Sequence, residues 1–472
     1  MSGSPDLNYL VISDLHLRGG HSDTTAGLYH FDEEFADFLR YYRLHRSTER
    51  PWQLIIAGDF IEFLYITDLP SADDPLLRDA TFVPSEQRYG ARTEAPKSRW
   101  KLDRILRTGH PQLLLALARF IAEGNSIVLL RGNHDAEMVW PEVQAHFRRL
   151  LAEHHPADVG YMQMKDAIAQ RLIFAPWFWY VPNKLYVEHG CQYDPCCAFE
   201  YFLYPVMPSN PARIENSISD LSVRYFANQM KLLNAMATEN IKSISEYVLW
   251  VVRNNLGLVP RAARLYRGMV SGVLSKSGRP EPEAERLVRE EHQRRLEAAD
   301  IQLGLPAGTT SKVDALHARP VMRSWFSAVR FLGLDLLLSA AGLIFAVAFI
   351  LAFHPRQVWW IVALSIVALL GLVVYVGMLR FTRIVEYSQL RGIAERLATM
   401  FDVSNVVFGH SHKAGSSLLD SGRNYFNVGT WVPLRKHAYF VYFAIEGDEQ
   451  DGHLQRWNKE KQEPAPFEGR QL

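Results

Sequence analysis

The chain has 472 residues, more than one average domain needs, which predicts a core domain with additions. Its 51 lysines and arginines balance 51 aspartates and glutamates, so the whole-chain charge argues against nucleic-acid binding, and no nucleic-acid partner is expected. The three cysteines, at positions 191, 196 and 197, argue against a disulfide framework and indicate a reducing compartment. The N-terminal stretch MSGSPDLNYL lacks the basic and apolar regions of a secretory signal.

The N-terminal third alternates short apolar runs with segments of helical periodicity. Strands are predicted at residues 10–12, 53–57 and 127–130. Helices are predicted at residues 31–42 and 100–123, the second interrupted near 109–111. The polar, proline-rich residues 68–97 predict a long active-site loop. This order of elements is typical of layered α/β folds.

The middle of the chain changes character. Residues 174–181 and 185–187 predict two further strands, and residues 195–330 predict a charged, mainly helical insertion. Within it, residues 261–274 form an amphipathic pattern with three arginines opposite an apolar face. Two interpretations of this helix stay open, one at a bilayer surface and one packed on protein.

Two uncharged apolar runs follow, at residues 336–353 and 358–379. Each is long enough to cross a hydrocarbon core of ~30 Å, so they predict a two-helix transmembrane hairpin and a lipid bilayer as a partner. The alternative is a hairpin buried in a soluble core. Basic residues flank the hairpin on both sides, whereas its turn holds only Arg356, so the catalytic segments are predicted to be cytoplasmic.

Five short polar motifs each follow an apolar, strand-like run. They are SDLHL with Asp14 and His16, GDF with Asp59, RGNHD with Asn133, His134 and Asp135, EHG with His189, and GHSH with His410 and His412. Side chains just beyond strand ends meet at a sheet edge, where the sites of α/β proteins assemble. Taken singly, these residues are as typical of turns, cores or surfaces as of a metal site.

The donor types are chemically coherent. Carboxylates, imidazoles and one amide oxygen suit Mn²⁺, Fe or Zn²⁺ better than Cu(I). Seven donors are too many for one open site, whereas two ions that share a bridging carboxylate would use them all. Two ions ~3.5–4 Å apart are a common device for hydrolysing phosphate esters.

The ordered motifs resemble those of the calcineurin-like metallophosphoesterase superfamily, whose pattern is D-x-H, G-D, G-N-H-D/E, H and G-H-x-H. The resemblance covers about residues 10–190 and 405–432. It implies an α/β fold, a four-layer αββα sandwich, interrupted after the His189 motif and resumed near residue 401. The expected segments are the first part of this domain at 1–194, the helical insertion at 195–330, the hairpin at 331–380, and the closing part with GHxH at 381–472.

The resemblance also implies roles for the site residues. One metal would be held by Asp14, His16 and His412, the other by Asn133, His189 and His410, with Asp59 bridging them. Two divalent ions are expected, Mn²⁺ first, with Fe and Zn²⁺ as alternatives, and they would activate a hydroxide for attack on phosphorus. His134 would face the phosphate, and Asp135 would orient its ring or cap the following helix.

Within the superfamily, the chain is most similar to UDP-2,3-diacylglucosamine pyrophosphatases. The shared features are SDLHL, an acidic residue three positions after Asp59, and a helical insertion after HG. The chain differs at His134, where many such enzymes have Arg, at Cys191, where they have Asp, and by its hairpin. Three hypotheses follow: a membrane-anchored hydrolase of a phosphorylated, lipid-linked substrate, an anchored hydrolase of soluble nucleotides or phosphoproteins, and a non-catalytic membrane scaffold or sensor.

Overall fold

The computed structural model describes residues 7–19, 31–46, 49–71, 74–77, 80–229, 257, 259–275, 280–334, 342, 365–366, 368–369, 371, 387–433 and 440–467. The chain divides into two compact units. The first comprises Met1–Asn216, Pro280–Ala318 and Tyr387–Leu472, and the second comprises Ser217–Arg279 and Arg319–Glu386. The expected four-segment boundaries stay a prediction.

A seven-stranded sheet forms one layer of the first unit. Its strands, in chain order, are β1 (Asn8–Ile12), β2 (Trp52–Ala57), β3 (Ser126–Leu130), β4 (Leu172–Phe174), β12 (Val441–Ile445), β13 (His453–Asn458) and β14 (Glu463–Pro466). The strand order is β14-β13-β12-β1-β2-β3-β4. Strands β1 to β4 are parallel, and β12 to β14 are antiparallel.

A five-stranded sheet forms a second layer. Its strands are β5 (Trp179–Val181), β6 (Leu185–Val187), β9 (Asn405–Phe408), β10 (Gly415–Leu418) and β11 (Asn424–Asn427), in the order β10-β11-β9-β6-β5. Strand β9 pairs in parallel with β6, so Asn405 lies opposite Leu185 although the two are far apart in sequence. The chain therefore leaves this sheet after β6 and returns to it at β9, directly beside β6.

Side-chain alternation along the strands builds two cores. In β1, Tyr9 and Val11 join residues of the five-stranded sheet such as Val407 in one buried cluster, which lies between the sheets. Leu10 and Ile12 point to the other face and pack with helices. One-residue alternation thus lets a fully buried strand serve both layers.

Helices cover the outer faces of the sheets. Those of the first unit are α1 (Asp32–Leu44), α2 (Pro84–Tyr89), α3 (Ala95–Asp103), α4 (Pro111–Ala122), α5 (Pro141–Glu153), α6 (Tyr161–Arg171), α9 (Pro282–Leu303), α10 (Thr309–Asp314) and α12 (Tyr387–Phe401). Residues of α1, α4, α5 and α6 share the core of the seven-stranded sheet, and α12 contacts β6, β9 and β11. The predicted mixed, layered α/β fold is confirmed.

Two sequence-based expectations are wrong in this unit. The single strand predicted at residues 174–181 is two strands in different sheets, β4 and β5, because Pro176 lacks the N–H that a ladder needs and the chain crosses between layers there. The loop predicted at residues 68–97 contains helix α2 and the start of α3. Glu86 and Lys97 form a buried ion pair that ties these two helices together.

The second unit contains α7 (Ile218–Tyr225), α8 (Val259–Leu274) and α11 (Trp325–Phe331). The amphipathic pattern of α8 is present, and Leu265, Met269 and Val273 are buried on one face. Helix α8 contacts α7 and α11. Of the two interpretations of this helix, packing on protein is the one observed. The mainly helical insertion also includes a hairpin, β7 (Val206–Met207) and β8 (Asn210–Ile214), which lies in the first unit.

The predicted transmembrane hairpin lies almost entirely outside the described residues. Of residues 336–379, only 342, 365–366, 368–369 and 371 are described. Among the helices that are described, none is long and apolar enough to cross a membrane.

Candidate metal centre

The five polar motifs meet at one end of the two sheets. Asp14 and His16 follow β1, Asp59 follows β2, and Asn133 follows β3. In the other sheet His189 follows β6, and the GHSH motif follows β9. Because β1, β2 and β3 are mutually parallel, as are β6 and β9, these loops leave each sheet at the same end.

Within this cluster, the described side chains form four overlapping groups that could each hold a metal ion, and two of them consist of predicted ligands alone. Asp14, His16 and His412 form one group, and Asp59, His189 and His410 form the other, each with donor atoms within 4.8 Å of one another. His412 Nε2 lies 3.0 Å from Asp14 Oδ1 and 3.1 Å from His16 Nε2. The first is the group implied by the resemblance, and the second joins His189 and His410 to the expected bridging ligand Asp59. The place of Asn133 and the assignment of single ligands stay predictions.

Asp59 is placed to serve both groups. Its Oδ1 accepts a hydrogen bond from the His134 backbone N–H at 2.8 Å. Its Oδ2 lies 3.2 Å from His189 Nε2 and 3.9 Å from His16 Nε2. One carboxylate oxygen therefore faces donors of both groups, as a bridging ligand requires.

Three buried atoms at the site support the presence of cations. Asn133 Oδ1 is buried and makes no hydrogen bond, whereas Asp14 Oδ1 and His189 Nε2 are buried and face other predicted ligands, His412 Nε2 at 3.0 Å and Asp59 Oδ2 at 3.2 Å. A buried polar atom without a partner is costly, so native proteins rarely leave one unsatisfied. Oxygen and imidazole donors are ligands of Mn²⁺, Fe and Zn²⁺, and two such ions would satisfy all three atoms.

The backbone at the site is strained. Five of the seven predicted ligands have left-handed φ angles: Asp14 (56°), His16 (46°), Asp59 (49°), His410 (63°) and His412 (56°). This conformation is uncommon for residues other than glycine, and strain of this kind clusters at functional sites. The strained loops turn the ligand side chains back over the strand ends.

The glycines of the motifs make room for the ligands. A Cβ atom at Gly132 would lie 2.7 Å from Asp59 N and would also clash with its carboxylate. At Gly409 a Cβ would lie 2.5 Å from Asp14 Oδ2. These close approaches explain the glycine before Asn133 and the one before His410.

Each of three ligand histidines has its second ring nitrogen fixed by a neighbour. His189 Nδ1 lies 2.9 Å from the Ala57 carbonyl oxygen, which can only accept, so Nδ1 carries the proton and Nε2 is left for a metal. His16 Nδ1 lies 2.9 Å from Glu62 Oε2. His410 Nε2 lies 3.2 Å from Asp194 Oδ2, which leaves Nδ1 for a metal. Such outer contacts orient metal-binding imidazoles.

The role expected for Asp135 is wrong. Its Oδ1 accepts from the Gly132 backbone N–H at 2.6 Å and its Oδ2 from the Phe60 N–H at 2.9 Å, so it joins the loops after β2 and β3 instead of orienting His134. It also makes no side-chain cap to the short helix that follows it. The ring of His134 is held by Glu62, whose Oε2 lies 2.8 Å from His134 Nδ1.

In the metal-free site, burial and neighbouring charges shift the pKa values of several groups. Burial would raise the pKa of Glu62, but His134 and His16 lower it to about 2. Burial would lower the pKa of His134, but Glu62 and Asp59 raise it to about 9. The pKa of Asp59 is also lowered, because His189 and His134 outweigh the effect of burial. Burial and the neighbouring Asp59 raise the pKa of Asp135 to about 6.

Sequence reasoning missed two functional carboxylates. Glu62 was visible only as an acidic residue shared with a similar family, without a role. Asp194 lies in the short loop after His189, its Oδ1 accepts from the Cys196 backbone N–H at 2.9 Å, and it groups with Cys197 and His410 as potential metal donors. No spacing rule pointed to it, because its partner His410 comes from a distant part of the chain.

Comparison with known proteins identifies the domain. Residues 7–204 match the family model described as Calcineurin-like phosphoesterase. No curated protein matches the chain. The matched residues include Asp14, His16, Asp59, Asn133 and His189. The GHSH motif lies outside the matched residues, and the pairing of β9 with β6 brings it beside them. Residues 7–204 therefore form a calcineurin-like phosphoesterase domain, the domain of a superfamily of metal-dependent phosphoester hydrolases.

Proposed function

We propose that the chain is a membrane-anchored, dinuclear-metal hydrolase that cleaves a phosphate ester or pyrophosphate bond in a lipid-linked substrate. The observation that carries the hydrolase is the buried Asn133 Oδ1 without a hydrogen bond, together with Asp14 Oδ1 and His189 Nε2, which are buried and face other predicted ligands. Six of the seven predicted ligands converge in groups whose donor types can bind two catalytic ions. The anchor and the lipid-linked substrate rest on separate observations.

The chain's own residues supply binding and proton transfer. Two bound cations would provide Lewis acidity and activate water for attack on phosphorus. His134 is partly exposed beside the ligands, and Glu62 holds its Nδ1, so its Nε2 is available to a substrate. The carboxylate of Glu62 favours the protonated form of His134, so this ring can donate a proton to the leaving oxygen. Glu62 thus couples the general acid to the metal ligand His16.

The proposed anchor is the hairpin of residues 336–379. Its two apolar runs carry no charge. Helix α11, which precedes them, exposes Trp325 and Phe326, whose exposed fractions are 58% and 64%. Exposed aromatic residues next to an apolar span are typical of the membrane interface.

The anchor is tested by fractionation. The full chain should stay in the membrane pellet after alkaline carbonate extraction, and a variant lacking residues 336–379 should move to the supernatant. A shorter deletion in the exposed part of α9 serves as the control and should leave the chain in the pellet. Extraction of the full chain by carbonate would contradict the anchor.

The lipid-linked substrate is supported by the resemblance to UDP-2,3-diacylglucosamine pyrophosphatases, which share SDLHL and Glu62. The test is hydrolysis in detergent micelles with added Mn²⁺ of acylated nucleotide-sugars, polyprenyl pyrophosphates and soluble phosphodiesters. We expect turnover of an acylated substrate at least about tenfold faster than that of its deacylated form. Equal turnover of both would favour soluble nucleotides or phosphoproteins instead. His410→Ala controls for contaminating activity.

A non-catalytic scaffold or sensor is the remaining alternative. No observation favours it, since each ligand position of the five motifs carries a residue of the expected type. Turnover that is abolished by Asp59→Asn would eliminate it. If the wild-type chain binds metals but hydrolyses nothing in the panel, the scaffold interpretation is favoured.

A further inference from the structure

A cavity of about 340 Å³ lies in the first unit, behind the loop that carries Asn133. Helix α9 forms one wall with Ala298 and Ala299, and the ends of β3 and β4 form another with Leu129 and Phe174. Its volume lies in the range of small-molecule sites, and its lining combines apolar side chains with a few polar groups. No predicted metal ligand lines it.

Two guanidinium groups line this cavity. Arg131 is only 6% exposed, and its Nη2 donates to the carbonyl oxygens of Phe202 at 2.9 Å and Pro176 at 3.3 Å. Its Nη1 is buried and makes no hydrogen bond. Arg295 is on α9, where its Nε donates to Glu291 at 2.8 Å.

Arg131 forms no ion pair with a carboxylate of the described residues, although the nearby Asp135 partly offsets the effect of burial on the Arg131 pKa. Asp135 also lines the cavity, but its two oxygens are occupied by the backbone N–H groups of Gly132 and Phe60. A buried guanidinium without an ion-pair partner is destabilising, so proteins normally supply an anion to it.

We propose that this cavity binds a monoanionic amphiphile, a carboxylate on a medium-length alkyl chain. The carboxylate would pair with Arg131 and Arg295, which present planar donor groups suited to it. The alkyl chain would lie against Leu129, Met138 and Phe174. A second negative charge on the ligand would meet Asp135, so a carboxylate fits the cavity better than a phosphate monoester, which carries up to two charges at neutral pH.

The site is tested by calorimetric titration of the full, metal-loaded chain, and the variant Ala298→Trp separates binding in the cavity from binding at the metal centre. The probes are decanoate, decyl phosphate and decanol. We expect saturable binding of one decanoate per chain, at least about tenfold tighter than binding of either other probe. Non-saturable uptake of decanoate, or equal affinity for decanoate and decanol, would overturn the proposal.

Two variants localise the binding. Ala298 is exposed at the rim, so Ala298→Trp should fill the mouth without disturbing the core and lower decanoate affinity at least about tenfold. Arg131→Met should remove the preference for decanoate over decanol, and the half-buried Arg295→Gln gives the same test if Arg131→Met does not fold. Unchanged affinity in Ala298→Trp would overturn the site. Because decanoate and decanol contain no phosphoester bond, its failure leaves the proposed hydrolase untouched.

Discussion

At the scale of single residues, two carboxylates outside the predicted ligand set hold the rings of three histidines. Glu62 contacts both His16 and His134, and Asp194 contacts His410. Outer-shell carboxylates fix the orientation and basicity of metal-binding imidazoles, so their loss typically costs 10–100-fold in metal affinity or activity. Both therefore act through the residues that they position.

Glu62→Gln should lower kcat about 10–100-fold with little change in KM. Gln keeps an acceptor oxygen but lacks the negative charge that favours protonated His134, and its amide group cannot accept at both positions of the carboxylate. The pKa of His134 should also fall from about 9 toward its ordinary value, which an NMR titration of the metal-free protein would measure. In the wild type, this raised pKa stabilises the fold fully below pH 6.5, and the contribution is lost as the pH rises through 9.

Glu290→Gln is the matched control for Glu62→Gln, because Glu290 pairs with Arg286 on the exposed surface of α9. It should change neither kcat nor the pKa of His134. A His134 pKa that stays near 9 in Glu62→Gln would show that Glu62 is not its main partner.

Asp194→Asn should weaken one metal site about 10–100-fold and leave the other unchanged. The reason is that His410 belongs to only one of the two donor groups. Competition with a coloured chelator would give both affinities, and Asp166→Asn, at an exposed position on α6, is the control. Equal weakening of both sites would indicate a structural defect instead of a positioning role.

At the scale of elements, the loops beyond the parallel strands carry the chemistry, and their tight packing limits substitution. Gly132→Ala should destabilise the protein by about 1–3 kcal/mol and displace Asp59, because its Cβ would meet that residue. Metal content by mass spectrometry and the urea midpoint are the measurements. Gly160→Ala has open space and a φ of −69°, so it should be neutral or stabilising by about 0.4–1 kcal/mol.

Helix α1 is held by an aromatic cluster under the seven-stranded sheet. The ring of Phe38 lies 5.0 Å from that of Trp431 and 4.9 Å from that of Tyr442. Phe38→Ala should therefore lower the free energy of unfolding by about 3–5 kcal/mol. Leu44, which is 66% exposed on the same helix, is the control, and Leu44→Ala should stay within about 0.5 kcal/mol in urea unfolding. Similar midpoints for the two variants would contradict this packing.

At the scale of the whole molecule, we expect metal binding and folding to be coupled, because predicted ligands from both ends of the chain meet at one centre. Asp14 and His412 lie in one donor group although they are near opposite ends of the chain. A cation bound at 100 times its Kd adds about 2.7 kcal/mol to stability.

Removal of metals with a chelator should therefore lower the melting temperature, and added Mn²⁺ should restore it. His189→Ala should show a smaller difference between the two states, since it leaves one group with fewer donors. Differential scanning calorimetry is the measurement. An unchanged melting temperature after addition of the chelator would argue against coupling of metal binding to folding.

Part of this organisation was predictable from local patterns. Short, continuous apolar runs predicted β1, β2, β3 and β6 close to their observed bounds. The break at Pro176 was missed, because apolar residues on both sides of it continue the same pattern. The partner of His134 was also missed, since Asp135 is adjacent in sequence whereas Glu62 becomes adjacent only through the parallel pairing of β2 and β3.

The sequence by itself determined the donor chemistry and the class of reaction. Residue types decide which ions can be bound, and motifs after strand-like runs imply that their side chains gather at a sheet edge. Only the tertiary structure decided which carboxylate supports which histidine. Those contacts depend on left-handed loop residues such as Asp59 and His410, and on strands β6 and β9 that pair across a long insertion. Backbone conformation and long-range pairing are set by packing of the whole domain, which no local pattern encodes.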